Sequence, residues 1–169
     1  MKTIIMCAIT LDGKIAKKSG EFVNWTGSED KKIFARETKK SGVVIMGHNT
    51  YKTIGKPLKG RLNIVLTSNV ENKTGQKGIL EFTSRAPVEI QRHLEARGFK
   101  KAFVIGGGEV NTLFIKNGLV DEVWLTMVPR IFGRGISLFS DFDGDVNLEF
   151  NSCERLSSGL IFVKYRVVK

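Results

Sequence analysis

Asp30, Phe34 and Thr38 recur every fourth residue, a spacing that stacks side chains along one face of a helix. A carboxylate beside an aromatic ring on a pocket-facing stripe is partly desolvated. It can then hold a proton-bearing heterocycle through paired hydrogen bonds. An acidic residue in the first turn of a helix also commonly offsets the helix dipole, so a structural role for Asp30 stays open beside the chemical one. A second group of residues suits anions. Gly47 ends the apolar run Val43-Val44-Ile45-Met46, and His48-Asn49-Thr50 follow where a helix would begin. Unpaired N–H groups and a partial positive charge at such a helix start favour a phosphate. Gly106-Gly107-Gly108 stand in the same relation to the run 101–105, and three glycines let backbone lie against a ligand with no Cβ in the way. Thr67 and Ser68 place hydroxyls at the end of a third apolar run, Leu62-Asn63-Ile64-Val65-Leu66. Taken singly, each turn is also an ordinary strand–helix connection.

The elements that would position these groups can be read from the pattern. Short apolar runs bounded by turn residues fit strands of a parallel sheet buried on both faces. In open α/β sheets, ligands sit beyond the carboxyl ends of the strands, so these exits converge on one site. Residues 2–9 read as a first strand closed by the turn signal Asp12-Gly13, and 17–24 as a mobile loop near the site. A helix is expected from about Ser28, as N-cap, to Lys40. Further strands are expected at 43–46, 62–66, 79–82, 101–105 and 120–128, with helices at about 86–97 and 109–117. Residues 129–140 read as a glycine-rich loop. Segments 150–153 and 160–168 read as a terminal antiparallel pair turning at Ser157-Ser158-Gly159.

At 169 residues the chain is long enough for one domain with its own core, and no repeat, linker or second domain is visible, so 1–169 reads as a single unit. No apolar run is long enough to span a bilayer. The apolar N-terminus is interrupted at Asp12-Gly13-Lys14 with no small-residue cleavage pattern, which favours a strand over a signal peptide. Cys7 and Cys153 read as reduced thiols of a cytoplasmic protein, and with two histidines in all, His48 and His93, a histidine-rich metal site is excluded. Lysine and arginine exceed aspartate and glutamate by 27 to 17, a net charge of +10. The basic residues are spread along the chain without aromatic interleaving or a nucleic-acid reader signature, which favours small polyanions over nucleic acid.

The order G-x-x-T-aromatic followed by I-G-x-P-L-x-G-R-x-N-I-V-L-T-S, spanning Gly47 to Ser68, resembles the dihydrofolate reductase family. So do Trp25 with the Asp30, Phe34 and Thr38 spacing, and the V-I-G-G-G turn at Gly106; together they cover most of the chain. The resemblance implies an α/β, single-domain dihydrofolate-reductase-like fold, with a mostly parallel central sheet flanked by helices and a C-terminal antiparallel strand pair. It implies hydride transfer from NADPH to a pterin-like ring, reducing 7,8-dihydrofolate to tetrahydrofolate, in a monomer or homodimer. On that reading Asp30 binds the pteridine and favours its protonation, and Thr126 hydrogen-bonds the carboxylate. Cys7, Ala8, Lys31, Phe34, Ile54 and Leu58 line the substrate, and Arg61 grips a carboxylate of its tail through its planar fork. The cofactor falls to Ala8, Ile15, Gly47, His48, Asn49, Thr50, Leu66, Thr67 and Ser68, with Ile105, Gly106, Gly107, Gly108, Glu109 and Val110 at the second turn. Three positions depart from the family pattern. His48 stands where an arginine often meets the 2′-phosphate, Glu109 where a basic residue can occur, and Lys31 where the residue after the pocket Asp is usually apolar.

A relative within the fold, the riboflavin-pathway pyrimidine reductase, is resembled by Leu11-Asp12-Gly13-Lys14-Ile15-Ala16, Gly118-Leu119-Val120-Asp121-Glu122 and Pro129-Arg130-Ile131-Phe132-Gly133. That resemblance implies NADPH reduction of a ribosylaminopyrimidine phosphate, with Lys31, Lys56 and Arg61 as phosphate ligands. The Asp30 group and the long match ending at Arg61 favour folate. A basic nucleic-acid-binding module is the third and most distant reading.

Overall fold

A computed structural model describes residues 1–21, 23–156 and 159–169. In chain order the elements are β1 (Lys2–Thr10), β2 (Lys14–Ala16), α1 (Gly27–Ser41), β3 (Val43–Gly47), α2 (His48–Ile54), β4 (Leu62–Leu66), β5 (Leu80–Thr83), α3 (Pro87–Ala96), β6 (Lys101–Val104), α4 (Gly108–Lys116), β7 (Glu122–Val128), β8 (Ile136–Ser137), β9 (Leu148–Arg155) and β10 (Ile161–Val167). Eight strands form one sheet in the order β5-β4-β3-β6-β1-β7-β10-β9. The first six run parallel, while β10 and β9 are antiparallel. This is the expected α/β fold with its C-terminal antiparallel pair.

The sheet is buried on both faces where the apolar runs are continuous. In β3, Val43 and Ile45 join one core with Ile5, Ile64, Val104, Leu94 and Phe114. Val44 and Met46 join the other with Ile4, Val65, Phe103, Trp124 and Ile33 of α1. Strand alternation therefore assigns α3 and α4 to one side and α1 to the other. Glu29 and Asp30 occupy the first turn of α1, and Lys39 and Lys40 its last, matching both ends of the helix dipole. The helix stops at Gly42, which takes the left-handed conformation at φ 76°.

Several boundaries differ from the sequence reading. Thr26, not Ser28, is the N-cap of α1, so the helix begins before the serine. The loop 129–140 contains β8, which pairs with β2 in a small second sheet. Two residues in a glycine-rich stretch carry no periodicity, and this strand exists only through its long-range partner. β9 is longer than 150–153, because its pairing with β10 continues through polar residues. Ser157 and Ser158 of the expected terminal turn lie outside the described residues, as does Phe22 of the loop 17–24. Among the described residues no helix is long and apolar enough to cross a membrane.

Candidate active site

The C-terminal ends of β1, β3, β4, β5 and β6 open into a single cavity of about 1270 Å³. β3 and β6 supply its floor. The Gly47 N–H donates to the Gly106 carbonyl at 2.8 Å, and the Ile105 N–H to the Ile45 carbonyl at 2.9 Å, locking the two glycine turns side by side. Close contact favours glycine at the first turn and demands it at the second. A Cβ on Gly47 would meet Val110 Cγ2 at 3.0 Å, and one on Gly108 would meet the Ser137 carbonyl oxygen at 2.5 Å. A Cβ on Gly107 would lie 3.6 Å from Thr50 Oγ1, so the glycine leaves a backbone cradle beside that hydroxyl.

Asp30 comes to the cavity wall from the first turn of α1 and is 8% exposed. Phe34, one turn on, lines the same wall, with Ile54 and Leu58 also on the cavity. Leu58 is held there by Asn63 of β4, fully buried. Asn63 Oδ1 accepts the Leu58 N–H at 2.9 Å, while its amide N–H groups are shared among the carbonyls of Leu58, Arg61 and Ile79 at 2.9–3.0 Å. The indole Nε1 of Trp25, beside Thr26 of the cavity wall, is buried with no partner among the described residues. A buried donor without a partner is costly unless a ligand or an ordered water meets it.

Of the residues singled out from the sequence, Cys7, Ala8, Ile15, Asp30, Lys31, Phe34, Ile54 and Leu58 line this cavity. So do Gly47, His48, Asn49, Thr50, Leu66, Thr67, Ser68, Ile105, Gly107, Gly108, Glu109 and Val110. Three do not. Gly106, at φ 99°, forms the turn beneath. Thr126 is buried in β7 in register with Ala8, on the α1 side of the sheet. Arg61 is also buried: Nη1 donates to Thr38 Oγ1, and Nε and Nη2 to the Lys59 carbonyl at 3.2 and 3.1 Å. Three of its five N–H groups are therefore spent inside the protein.

Burial pushes the Cys7 thiol up to about 12; a hydrogen bond from Asn111 opposes this and the nearby Asp30 carboxylate adds to it, so the sulfur is an inert wall group. His48 is pushed down by burial and by Lys73 and Lys52, which keeps it neutral at physiological pH. Thr83, Ser84 and Arg85, at the exit of β5, line the cavity beside Thr67 and Ser68; their place at the end of an expected strand is the signal in the sequence that marks them. The loop residues Lys18, Ser19, Gly20 and Glu21 also line the cavity.

NADPH fits this donor set: paired glycine turns, hydroxyls at the ends of β4 and β5, and a cationic group, Arg85, at the same rim. The architecture is that of the dihydrofolate-reductase-like fold. The chain belongs to the RibD C-terminal domain family, whose profile matches residues 1–162. It is 26% identical to a putative dihydrofolate reductase of Caenorhabditis elegans, over 93% of this chain and 84% of that protein. Among solved structures, a putative riboflavin biosynthesis protein from Shewanella superposes with a TM-score of 0.82 at 24% identity, covering the whole of both chains. A dihydrofolate reductase from Enterococcus faecalis, complexed with NADP(H), superposes with a TM-score of 0.74 at 21% identity, covering 99% of this chain and 97% of that one.

Proposed function

We propose that this chain is an NADPH-dependent reductase whose substrate is dihydrofolate. The observation that carries the reading is the buried Asp30 carboxylate, set on the cavity wall with Phe34 and within one continuous cavity with both glycine turns. Bound NADPH supplies the hydride. Gly47, Thr50, Gly107 and the first N–H groups of α4 hold its phosphates, and Thr67, Ser68 and Arg85 hold the adenosine end. Asp30 accepts hydrogen bonds from the N–H-bearing edge of a pterin and stabilises its protonated form. Thr126 lies below on the same face of the sheet. Phe34, Ile54 and Leu58 pack the aryl portion.

A second substrate, a ribosylaminopyrimidine phosphate, is favoured by a specific feature: Lys18 and Lys31 line the cavity, whereas Arg61 does not. Lysine serves a phosphate as a point charge and suits that tail. Replacing Asp30 by Asn separates chemistry from cofactor binding. NADPH affinity stays within about twofold while dihydrofolate turnover falls on the order of 100-fold, the scale of a lost proton-managing group. Turnover equal to the parent would remove Asp30 from the chemistry.

A further inference from the structure

Among the described residues, Lys18, Lys31 and Arg85 are the lysines and arginines that line the cavity. Arg85 follows β5, beside the exit of β4, at the end given to the cofactor. Lys31 follows Asp30 in α1, and Lys18 lies on the segment between β2 and α1. Binding of a pterin ring leaves both lysines without a role. Successive helical residues are turned by about 100°, so Lys31 serves a different part of a ligand from the one Asp30 holds. Its stem can lie along apolar surface while the ammonium head stays in water. Glu21 brings a carboxylate to the same cavity, but its Oε2 accepts the Lys17 backbone N–H at 2.8 Å, which holds it to its own loop. Arg61, the cation whose planar fork suits a carboxylate tail, is buried outside the cavity and donates to Thr38 Oγ1 and the Lys59 carbonyl.

We propose that the site also reduces a second class of dihydropterin, one whose side chain is short and ends in a phosphate, with Lys31 and Lys18 holding that phosphate. The inference rests on the pterin reading of Asp30 and extends it to the tail. Asp30 takes the N–H-bearing edge of the ring, as it does in dihydrofolate, and Phe34 packs on the ring. The reacting bond is unchanged. The N5=C6 double bond takes a hydride from NADPH at C6 and a proton from solvent at N5, NADPH leaves as NADP+, and the phosphate ester stays intact. A phosphate monoester carries a charge of about −1.5 to −2 at neutral pH, which two ammonium groups balance. Lysine meets it as a point charge and needs no planar fork. Such a ligand uses Asp30, Phe34 and both lysines at once.

Titration of the full chain with a fluorescent, fully oxidised pterin bearing a hydroxyalkyl phosphate at C6, before and after removal of the phosphate, tests this directly. The parent chain is expected to bind the phosphorylated form about tenfold or more tightly, the scale of one or two charge-assisted contacts. With Lys18→Gln and Lys31→Gln combined, that ratio is expected to fall to within about twofold of one, while Lys31→Arg, which keeps the charge, retains it. NADPH oxidation with the two dihydro forms is expected to show the same preference in kcat/KM. Dihydrofolate run beside them separates two failures. Turnover of dihydrofolate with no preference for the phosphorylated dihydropterin would overturn this inference and leave the folate reading standing. Turnover of neither dihydrofolate nor a dihydropterin would overturn the pterin reading itself, and the inference with it. A phosphate preference unmoved by the double variant would overturn the assignment to Lys18 and Lys31.

Discussion

At the scale of single residues, much of the site rests on polar side chains buried with their bonds accounted for. Asn63 is the clearest case, because its four hydrogen bonds tie the 55–61 loop and Ile79, the residue just before β5, to β4. Asn63→Leu is expected to destabilise the fold by about 2–4 kcal/mol, since one buried N–H and several carbonyls lose their partner. Urea unfolding of both proteins measures it, and the same change should raise the KM for substrate by loosening Leu58. A stability within about 0.5 kcal/mol of the parent would show that water replaces the amide freely. This residue was not legible as an anchor: in sequence it is one polar letter in a strand. Asp30, by contrast, was legible, because helix spacing is local and its face follows from period alone. Arg61 divides the two cases. Its presence at the loop end was legible, but its bond to Thr38 depends on how α1 lies against β4, which no local pattern encodes.

At the scale of elements, the strand exits were readable and their fastening was not. The turn after β1 is tied to the loop between β7 and β8 by Asp12. Its carboxylate accepts the Thr10 hydroxyl at 2.5 Å, the Phe132 N–H at 3.2 Å and the Gly133 N–H at 2.8 Å. The Thr10 hydrogen bond is the main cause that lowers the Asp12 carboxyl from 3.8 to about 2, with the two backbone N–H groups adding to it. A depressed folded-state value stabilises the fold above the unfolded value and ceases to do so as pH falls through the folded one. The gap in thermal midpoint between the parent and Asp12→Asn is therefore expected to be full at neutral pH and to close between about pH 4 and pH 2. A gap independent of pH would mean that the carboxylate charge plays no part. From sequence, Asp12-Gly13 announced only a turn. Its backbone partners Phe132 and Gly133 lie 120 and 121 positions away, and β8 is likewise remote from β2; such links are set by tertiary approach rather than by composition.

At the scale of the whole molecule, the parallel sheet, its helices and the C-terminal antiparallel pair follow from apolar runs and turn signals, and the family pattern agrees with them. What the pattern left open is the substrate, because Asp30 and Phe34 speak for a pterin while Lys18 and Lys31 suit a phosphate. The positive charge of the chain attracts either anion and does not discriminate between them. The most direct measurement is NADPH oxidation, followed by its absorbance, with dihydrofolate or a ribosylaminopyrimidine phosphate offered separately to the same enzyme. Rapid loss of signal that depends on dihydrofolate, and is absent or at least about tenfold slower with the phosphorylated pyrimidine, is the predicted result. Oxidation with the pyrimidine alone would contradict the folate account and hand the site to Lys18 and Lys31.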